Sequence, residues 1–369
     1  MKKITRFSLA CGVSAMALCV SGIATAQDIH FSQFYHSPLT LNPALTGAFG
    51  GSYRVGANYK QQWKSVMVDG ANQGGPSYPY QTMAASFDQG LYKHSWDNGF
   101  MGVGVSFFND KAGTSQMGTT QVNVSLSADK TINSDNNVAV GLQGGWAQRS
   151  IDYSKLTWDN NYQNGTFNPA LYPSQEPLAT AATSFSYTDF SAGALWNYGY
   201  GEKYLSSNDA FKANFGVAMF HVNQPSKYSF YGDAGQKLNA KYIVHGSATI
   251  GVPNSATSFV PNFMYVRQGG AQEINLGSYV KYTLQGGSRY TGAKTETAIY
   301  FGGWYRFADA FVASVKMDYA NFSFAYSYDV NTSSLRTASG TKGGSEFALM
   351  YIAPFKQSRS GSYRNVRFL

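Results

Sequence analysis

Residues 122–128, Val-Asn-Val-Ser-Leu-Ser-Ala, alternate strictly between apolar and small polar side chains. Successive side chains of a β-strand point to opposite faces, so this stretch has one oily face and one polar face. The same period of two recurs along the chain and predicts a protein built of many short strands. Its clearest instances lie at 53–59, 101–107, 122–128, 138–146, 190–198, 211–219, 242–250, 274–282, 311–319, 322–328 and 347–351, with weaker ones near 80–88, 259–266 and 297–307.

The composition indicates where such strands are placed. Charged residues make up only 13% of the chain and aromatic residues 16%, with 39 Gly and 27 Tyr, whereas a soluble domain is about 25% charged. Low charge and abundant Tyr and Phe are typical of strands that face lipid on one side and end in aromatic girdles. A soluble β-sandwich would alternate similarly, but a single sandwich rarely reaches this length.

No apolar run after the first residues is long enough to cross a membrane as a helix. A closed barrel is then the arrangement that pairs every backbone group within lipid. The sequence therefore predicts an all-β fold, a transmembrane outer-membrane β-barrel of about 14 antiparallel strands. An even number of strands would leave both ends of the mature chain on one side, which we expect to be the periplasm.

The two ends of the chain differ from the barrel. Residues 1–26 combine Lys2, Lys3 and Arg6, an apolar stretch and a terminal Ala-Thr-Ala, which predicts a cleaved signal peptide. Both cysteines of the chain fall within it, so the mature protein is expected to have no disulfide. Residues 354–369 carry four basic residues and no acid. This tail is either a solvated end or a dock for an acidic periplasmic partner or for lipid headgroups.

We therefore divide the chain into a signal peptide at 1–26, an N-terminal segment at 27–51, a barrel at 52–353 and a basic periplasmic tail at 354–369. Without the signal peptide the chain has 25 basic residues against 20 acidic ones. Outside the tail there is no basic stripe, so we expect no nucleic acid partner.

Fourteen strands would place the connections at about 63–79, 108–117, 148–185, 222–240 and 330–344 outside the cell. The longest of them, 148–185, is either a recognition loop or a lid over the barrel mouth. One connection does not fit this pattern, because Ala308-Asp309-Ala310 forms a tight turn on the same side. Either that hairpin is unusually short or the strand assignment is displaced by one.

The sequence carries no pattern typical of an enzyme or a metal site. None of the five histidines lies in a metal-binding spacing, and the glycine pairs lack the Lys-Ser/Thr of a phosphate loop. His221, near a predicted strand end, is the only histidine that could be argued for hydrolysis, and a structural role is the simpler interpretation. We therefore expect no catalytic residue, no metal and no cofactor.

The most informative segment is Gln27 to Gly47, which is rich in aromatic residues and precedes the first strand. Ser37 and Pro38 predict a helix start, with the Ser37 hydroxyl as its cap, and Pro43 limits the helix. The segment is either a plug in the lumen or a periplasmic handle, and its aromatic residues favour the plug. With the first strand it supplies the candidate plug or partner-binding residues: Phe31, Ser32, Gln33, Phe34, Tyr35, Ser37, Pro38, Leu39, Asn42, Pro43, Ala44, Gly47, Tyr53, Arg54, Asn58, Tyr59, Gln62 and Trp63.

This segment resembles the opening of the PorP/SprF family of outer-membrane proteins, which follows the pattern Q-x-x-x-F-S-Q-x-x-x-S-P-L-x-x-N-P-A-x-x-G and continues with Y-R, N-Y and Q-W pairs. Near the other end, 326–329, Ser334-Leu335 and 344–346 are similar to the family's closing strands. The histidine that often precedes the last glutamate is absent here, because Glu346 follows Ser345 directly. The resemblance covers essentially the whole mature chain.

The resemblance implies a non-enzymatic component of the type IX secretion and gliding motility system. Similar proteins support export or cell-surface anchoring of adhesin-like cargo with a C-terminal sorting domain. The implied partners are that cargo, other secretion components including a periplasmic OmpA-like peptidoglycan-binding protein, and outer-membrane lipid. The alternative, from a different class, is an outer-membrane channel or transporter for small or hydrophobic solutes, since a barrel of this width encloses a lumen.

Overall fold

A computed structural model describes residues 28–64, 79–93, 95–96, 98–156, 158–173, 183–200, 208, 210–226, 230, 237–286, 296–334 and 336–355. The predicted signal peptide, the tail from 356, Leu335 and the larger part of the connection at 63–79 lie outside these residues.

The described chain folds into a closed antiparallel barrel of 14 strands, as the alternation predicts. Each strand pairs with its sequence neighbours in the barrel, and the ring closes where the first strand, Tyr53–Gln62, pairs with the last, Lys342–Ile352. No helix within the described residues is long and apolar enough to cross a membrane. The barrel strands are β1 (Tyr53–Gln62), β2 (Tyr80–Leu91), β3 (Gly99–Ala112), β4 (Met117–Thr131), β5 (Asn136–Ser150), β8 (Ser184–Tyr200), β9 (Phe211–Phe220), β10 (Lys241–Gly251), β11 (Thr257–Gln268), β12 (Ala271–Gln285), β13 (Thr297–Arg306), β14 (Ala310–Tyr319), β15 (Phe322–Asn331) and β16 (Lys342–Ile352).

Outside the barrel wall, regular structure is short. The connection after β5 carries a two-stranded hairpin, β6 (Tyr162–Gln163) and β7 (Thr166–Phe167). Single helical turns lie at Phe34–His36, Pro38–Leu41, Pro43–Leu45, Tyr153–Lys155, Asp159–Asn161 and Arg336–Ser339.

The two ends of the barrel differ in their connections. We call the long-loop end the one with the connections 63–79, 113–116, 151–183, 221–240, 269–270, 307–309 and 332–341. The short-loop end has those at 92–98, 132–135, 201–210, 252–256, 286–296 and 320–321. The turn at Ala308 lies at the long-loop end, so the strand assignment was correct and the hairpin is short. Ala308 has a φ of +58°, which reverses the chain within three residues.

The faces of β4 follow the predicted pattern. Val124 and Leu126 point outward and are 50% and 53% exposed, whereas Ser125 and Ser127 point into the lumen and are buried. The outward side chains would face lipid, and the inward side chains are small enough to leave room inside. The alternation therefore sets both the register and the orientation of the strand.

An outward charge tests this orientation. We expect Val124→Arg, near the middle of β4, to lower the free energy of unfolding by about 2–4 kcal/mol, because a guanidinium is costly at the bilayer midplane. Ala128→Arg also points outward but lies close to the short-loop end, and should cost about 0–1 kcal/mol. Equilibrium urea unfolding in lipid vesicles measures both, and equal effects would contradict the assigned depth.

The lumen is not uniformly polar, unlike the inner face of β4. Inward-facing Tyr279, Trp304 and Val312 on β12, β13 and β14 are buried in one apolar cluster with Phe34 and Leu41. Tyr279 and Trp304 pack edge to face with ring centroids 4.5 Å apart. Such packing is typical of a filled interior and not of a water-filled pore.

Candidate functional site

Residues 28–51 run through the lumen from one end of the barrel to the other, and we call them the plug segment. Asp28 contacts residues at the long-loop end, Tyr35 donates a hydrogen bond from its hydroxyl to the carbonyl of Gly246 in mid-strand, and Gly47 contacts Asp88 near the short-loop end. The sequence left open a plug or a periplasmic handle, and these contacts lie on the inner face of the barrel. Most of the segment is buried, with Leu39 at 1% and Asn42 at 0% exposure.

Short helical turns let the plug segment descend through the lumen. A turn begins at Pro38, as predicted, but the Ser37 hydroxyl does not cap it. Instead Ser37 Oγ accepts a hydrogen bond from the Thr40 hydroxyl at 2.8 Å, so the predicted cap is wrong. The cap is found one turn later, where the Asn42 side chain accepts from the backbone N–H of Ala44 at 2.9 Å. Gly47 follows the last of these turns with a φ of +72°, which favours glycine.

The side chain of Glu346 on β16 binds backbone N–H groups of the plug segment in the part nearer the long-loop end. One carboxylate oxygen accepts from the N–H of Ser32 at 2.7 Å, and the other accepts from the N–H of Gln33 at 3.0 Å. The side-chain amide of Gln33 donates to the carbonyl of Glu346 and to the hydroxyl of Ser327. Glu346 is 1% exposed, so these charge-assisted bonds are shielded from water and fix the chain direction at this point.

A second buried group binds the Ser32 hydroxyl. Ser32 Oγ donates to Asp329 at 2.8 Å and lies 3.2 Å from both Lys60 Nζ and Arg306 Nη1. Arg306 Nη2 also pairs with Asp329 at 2.8 Å. Two cations and a carboxylate from β1, β13 and β15 therefore meet on one hydroxyl of the plug segment. Removing that hydroxyl would leave buried charges with fewer hydrogen bonds, which is costly in a water-poor interior.

At the long-loop end, His221 joins the start of the plug segment to the wall. Its two ring nitrogens contact the carboxylates of Asp28 and Asp189, the latter at 2.9 Å. Burial alone would lower the pKa of His221, but the two carboxylates outweigh it and raise the pKa to about 9. Lys241 Nζ lies 3.6 Å from Asp28. Protonated His221, together with the nearby Lys241, therefore attaches Asp28 to the barrel at neutral pH.

The attachment of Asp28 should depend on pH. The folded-state pKa of His221 lies above the ordinary value of 6.5, so its stabilisation is complete below pH 6.5 and is lost as the pH rises through about 9. We expect residues 29–33 to lose about 3 kcal/mol of protection across that range. Hydrogen exchange, corrected for intrinsic rates, measures it. His221→Gln should remove the dependence, and a pH-independent wild type would contradict the assignment.

Near the short-loop end, Asp88 joins three parts of the chain. Its carboxylate accepts from Arg54 Nε at 2.9 Å, from Arg54 Nη2 at 2.8 Å and from the N–H of Gly47 at 2.7 Å. Arg54 also donates to the carbonyl of Leu45 at 3.0 Å. Lys93 donates to the carbonyls of Phe49 and Gly51 at 2.7 Å and 3.1 Å. The part of the plug segment nearer the short-loop end is therefore held by one buried ion pair, Arg54–Asp88, and by Lys93.

Inward glycines make room for the plug segment in the middle of the lumen. A Cβ atom on Gly141 would lie 2.3 Å from the carbonyl carbon of Pro43, and one on Gly102 would lie 2.2 Å from the carbonyl oxygen of Thr46. A Cβ on Gly216 would meet His245 Nε2 at 2.3 Å. Gly102, Gly141 and Gly216 are therefore positions where other parts of the chain pack directly against the strand backbone.

The predicted site residues separate into three groups. Residues 31–47 of the list, with Arg54 and Asn58, are brought together in the lumen and are buried or nearly so. Tyr53 points outward and is 38% exposed, and the alternation of β1 places Tyr59 on the same outer face. Gln62 ends β1, and Trp63 follows it with its ring 4.9 Å from that of Tyr80. Tyr53, Tyr59, Gln62 and Trp63 are therefore not part of the plug.

The wall residues that hold the plug segment were missed at the sequence level. They are separated from their partners by up to 314 residues, so no local pattern connects them. A usable signal was present, because each is a charged residue at an inward position of an alternating strand. These residues are Lys60, Asp88, Asp189, Lys241, Arg306, Asp329 and Glu346.

The described chain begins and ends at opposite ends of the barrel. Asp28 donates its backbone N–H to Gln268, the last residue of β11 at the long-loop end. Ala353 and Pro354 accept hydrogen bonds from Ser52 at the short-loop end. The expectation that both ends of the mature chain share one side rested on the strand count, which says nothing about the path of the plug segment.

Solved structures similar to this chain are outer-membrane barrels of low sequence identity. A Pseudomonas aeruginosa FadL homologue has a TM-score of 0.44 and 10% identity, over 84% of this chain and 92% of that chain. The CymD monoaromatic hydrocarbon channel has a TM-score of 0.42 and 10% identity, over 91% and 96%. BamA from Haemophilus ducreyi lacking POTRA domains 1–3 has a TM-score of 0.40 and 9% identity, over 82% and 70%.

A comparison with curated proteins gave no match. The family model described as type IX secretion system membrane protein PorP/SprF matches residues 23–351. This match includes the plug segment and, except for Ile352, all 14 barrel strands. It confirms the resemblance seen in the sequence, and the chain belongs to the PorP/SprF family of type IX secretion system membrane proteins.

Proposed function

We propose that this protein is a non-enzymatic outer-membrane component of the type IX secretion and gliding system that supports export and surface anchoring of cargo with a C-terminal sorting domain. The observation that carries the proposal is the plug segment, which is held in the lumen by buried charges from many strands. Because the lumen is filled, partners meet the barrel at its ends. We place the long-loop end at the cell surface and the short-loop end in the periplasm.

The surface offered to cargo is the connection after β5. Its hairpin and the residues that follow expose Tyr162, Phe167 and Leu171, at 59%, 48% and 69% exposure. These apolar side chains lie beyond the ends of the barrel strands and cover no core. Exposed apolar groups on a loop supported by a rigid scaffold are typical of protein recognition. The periplasmic partner, an OmpA-like peptidoglycan-binding protein, would meet the opposite end.

Loss of the protein is the first test of this role. In a deletion strain we expect cargo with the C-terminal sorting domain to be retained inside the cell or shed into the medium, as measured by surface proteolysis and immunoblotting of the medium. Complementation with the wild-type chain should restore display. Normal display of all such cargo in the deletion strain would refute the anchoring role.

The hairpin gives a sharper test with a matched control. Tyr162 and Phe167 are cross-strand partners, as are Gln163 and Thr166. We expect Tyr162→Asp/Phe167→Asp to weaken cargo retention at least about tenfold, a loss of about 1.4 kcal/mol. Gln163→Asp/Thr166→Asp adds the same charge to the same hairpin and should leave retention unchanged. Equal retention by the two double variants would exclude this hairpin as the docking surface.

A channel for small or hydrophobic solutes is the second candidate, and the apolar half of the lumen favours it. A cavity of about 40 Å³ lies between the plug segment and β10 to β12, lined by Ile29, Phe31, Ile243, Met264 and Glu273 among others. That volume holds only a few water molecules, so passage of a solute would require the plug segment to move. Uptake of a lipophilic ligand by the purified wild-type protein would support this function.

A further inference from the structure

The plug segment crosses the barrel from one end to the other, and its first residue, Asp28, lies at the long-loop end. Asp28 is bonded to Gln268 and lies beside Lys241, the last residue of β11 and the first of β10. Its side chain is 25% exposed, which places it at the opening to solvent. Both strand ends belong to the long-loop end of the barrel.

The opposite end of the segment is fixed at the other side of the lumen. Gly47 is bonded to Asp88, three residues from the end of β2, and Phe49 accepts from Lys93 in the connection beyond that strand. Ser52 then pairs with Ala353 next to the start of β1. The chain therefore climbs from the short-loop end to the long-loop end when it is followed from residue 52 back to residue 28.

We infer that the amino end of the processed chain is displayed at the long-loop end, beside the connections that would meet cargo, and on the opposite side from the carboxyl end of the barrel. That this side is the cell surface rests on the proposed function. The contacts of Asp28 with Gln268 and Lys241 place the amino end on the same side as the long connections, whichever side of the membrane that is.

The buried hydrogen bonds favour a plug segment that stays in the lumen over one that enters and leaves it. Withdrawal of the first residues would leave Glu346 without the N–H groups of Ser32 and Gln33, and Asp329 without the hydroxyl of Ser32. Both carboxylates are at least 98% buried, at 1% and 2% exposure. Uncompensated buried charge is strongly unfavourable. The amino end is therefore a fixed part of the long-loop surface, next to His221.

Single cysteines test this inference with little perturbation, because both native cysteines lie in residues 1–26. One cysteine is inserted directly before Asp28, a second replaces Thr166 in the hairpin, and a third replaces Ser134 at the short-loop end. Intact cells are treated with a membrane-impermeant maleimide, and labelling is compared before and after permeabilisation. The unmodified chain gives the background, and heat-modifiable migration in gels confirms that each barrel is folded.

We expect the first two cysteines to be labelled to the same extent in intact cells and Ser134→Cys to show a complete loss of labelling until permeabilisation. Labelling of Thr166→Cys without labelling of the cysteine before Asp28 would overturn the inference while leaving the proposed orientation intact. Labelling of Ser134→Cys alone would reject the orientation, and the inference itself would still stand because the other two cysteines behave alike. If the inserted cysteine prevents folding, Ile29→Cys replaces it with the same expected outcomes.

Discussion

Gly141→Val should convert a closed barrel into a conducting one. The Cβ atom that this change adds would lie 2.3 Å from the carbonyl carbon of Pro43 and 2.4 Å from the backbone nitrogen of Ala44. β5 cannot move away, because it is paired along its length with β4 and β8. The plug segment must therefore shift. Overpacking of a filled interior lowers stability by about 1–3 kcal/mol when side chains can adjust, and by more when the added atoms overlap the backbone.

Single-channel recording in planar bilayers measures the effect. We expect the open probability of the Gly141→Val barrel to rise at least about tenfold over wild type, since 1.4 kcal/mol changes an equilibrium tenfold. Gly144→Val lies on the outer face of the same strand, where a new Cβ would meet only the ring of Phe190 at 3.5 Å. That variant should remain closed. Equal conductance of the two variants would show that the plug segment does not close the lumen.

Arg54→Ala should be the most destabilising single change at the short-loop end. It would leave the carboxylate of Asp88, which is 0% exposed, with the N–H of Gly47 as the only donor among its described bonds. Removing one partner of a buried ion pair costs about 3–5 kcal/mol. It would also remove the hydrogen bond to the carbonyl of Leu45 and the guanidinium that lies 4.7 Å from the ring of Phe49. The lower half of the plug segment should therefore detach.

Urea unfolding in lipid vesicles and hydrogen exchange at residues 45–51 measure this loss. The control is Lys155→Ala, which removes the partner of Asp152 in a pair whose side chains are 34% and 42% exposed. Such an exposed pair contributes about 0–1 kcal/mol. Similar losses for Arg54→Ala and Lys155→Ala would mean that the Arg54–Asp88 pair does not hold the plug segment.

Much of the fold could be predicted because a period of two is a local property. The alternation at 122–128 gives both the strand and its outward face without knowledge of its neighbours. The three weaker strands were also correct, and they extend to Tyr80–Leu91, Thr257–Gln268 and Thr297–Arg306. The strand count follows from these segments. The aromatic residues of the N-terminal segment then favoured a position inside the barrel.

The contacts of the plug segment could not be predicted, because they depend on which inward residues of the barrel strands lie at the same level along the barrel axis. Glu346 meets Ser32 only after 14 strands have closed into a ring. The missing cap on Ser37 has a similar origin, since its hydroxyl bonds Thr40 in a crowded interior. The apolar half of the lumen could not be inferred from β4, because the inward side chains of β4 are small and polar and Ser127 donates to the backbone carbonyl of Thr46.

The measurement that tests the central claim most directly is affinity purification of the tagged protein from gently solubilised outer membranes, read by mass spectrometry. The account predicts co-purification of a large surface protein with a C-terminal sorting domain, together with components of the secretion system. The Tyr162→Asp/Phe167→Asp variant should lose the cargo and keep those components. Recovery of the folded barrel without cargo or secretion components would contradict the account.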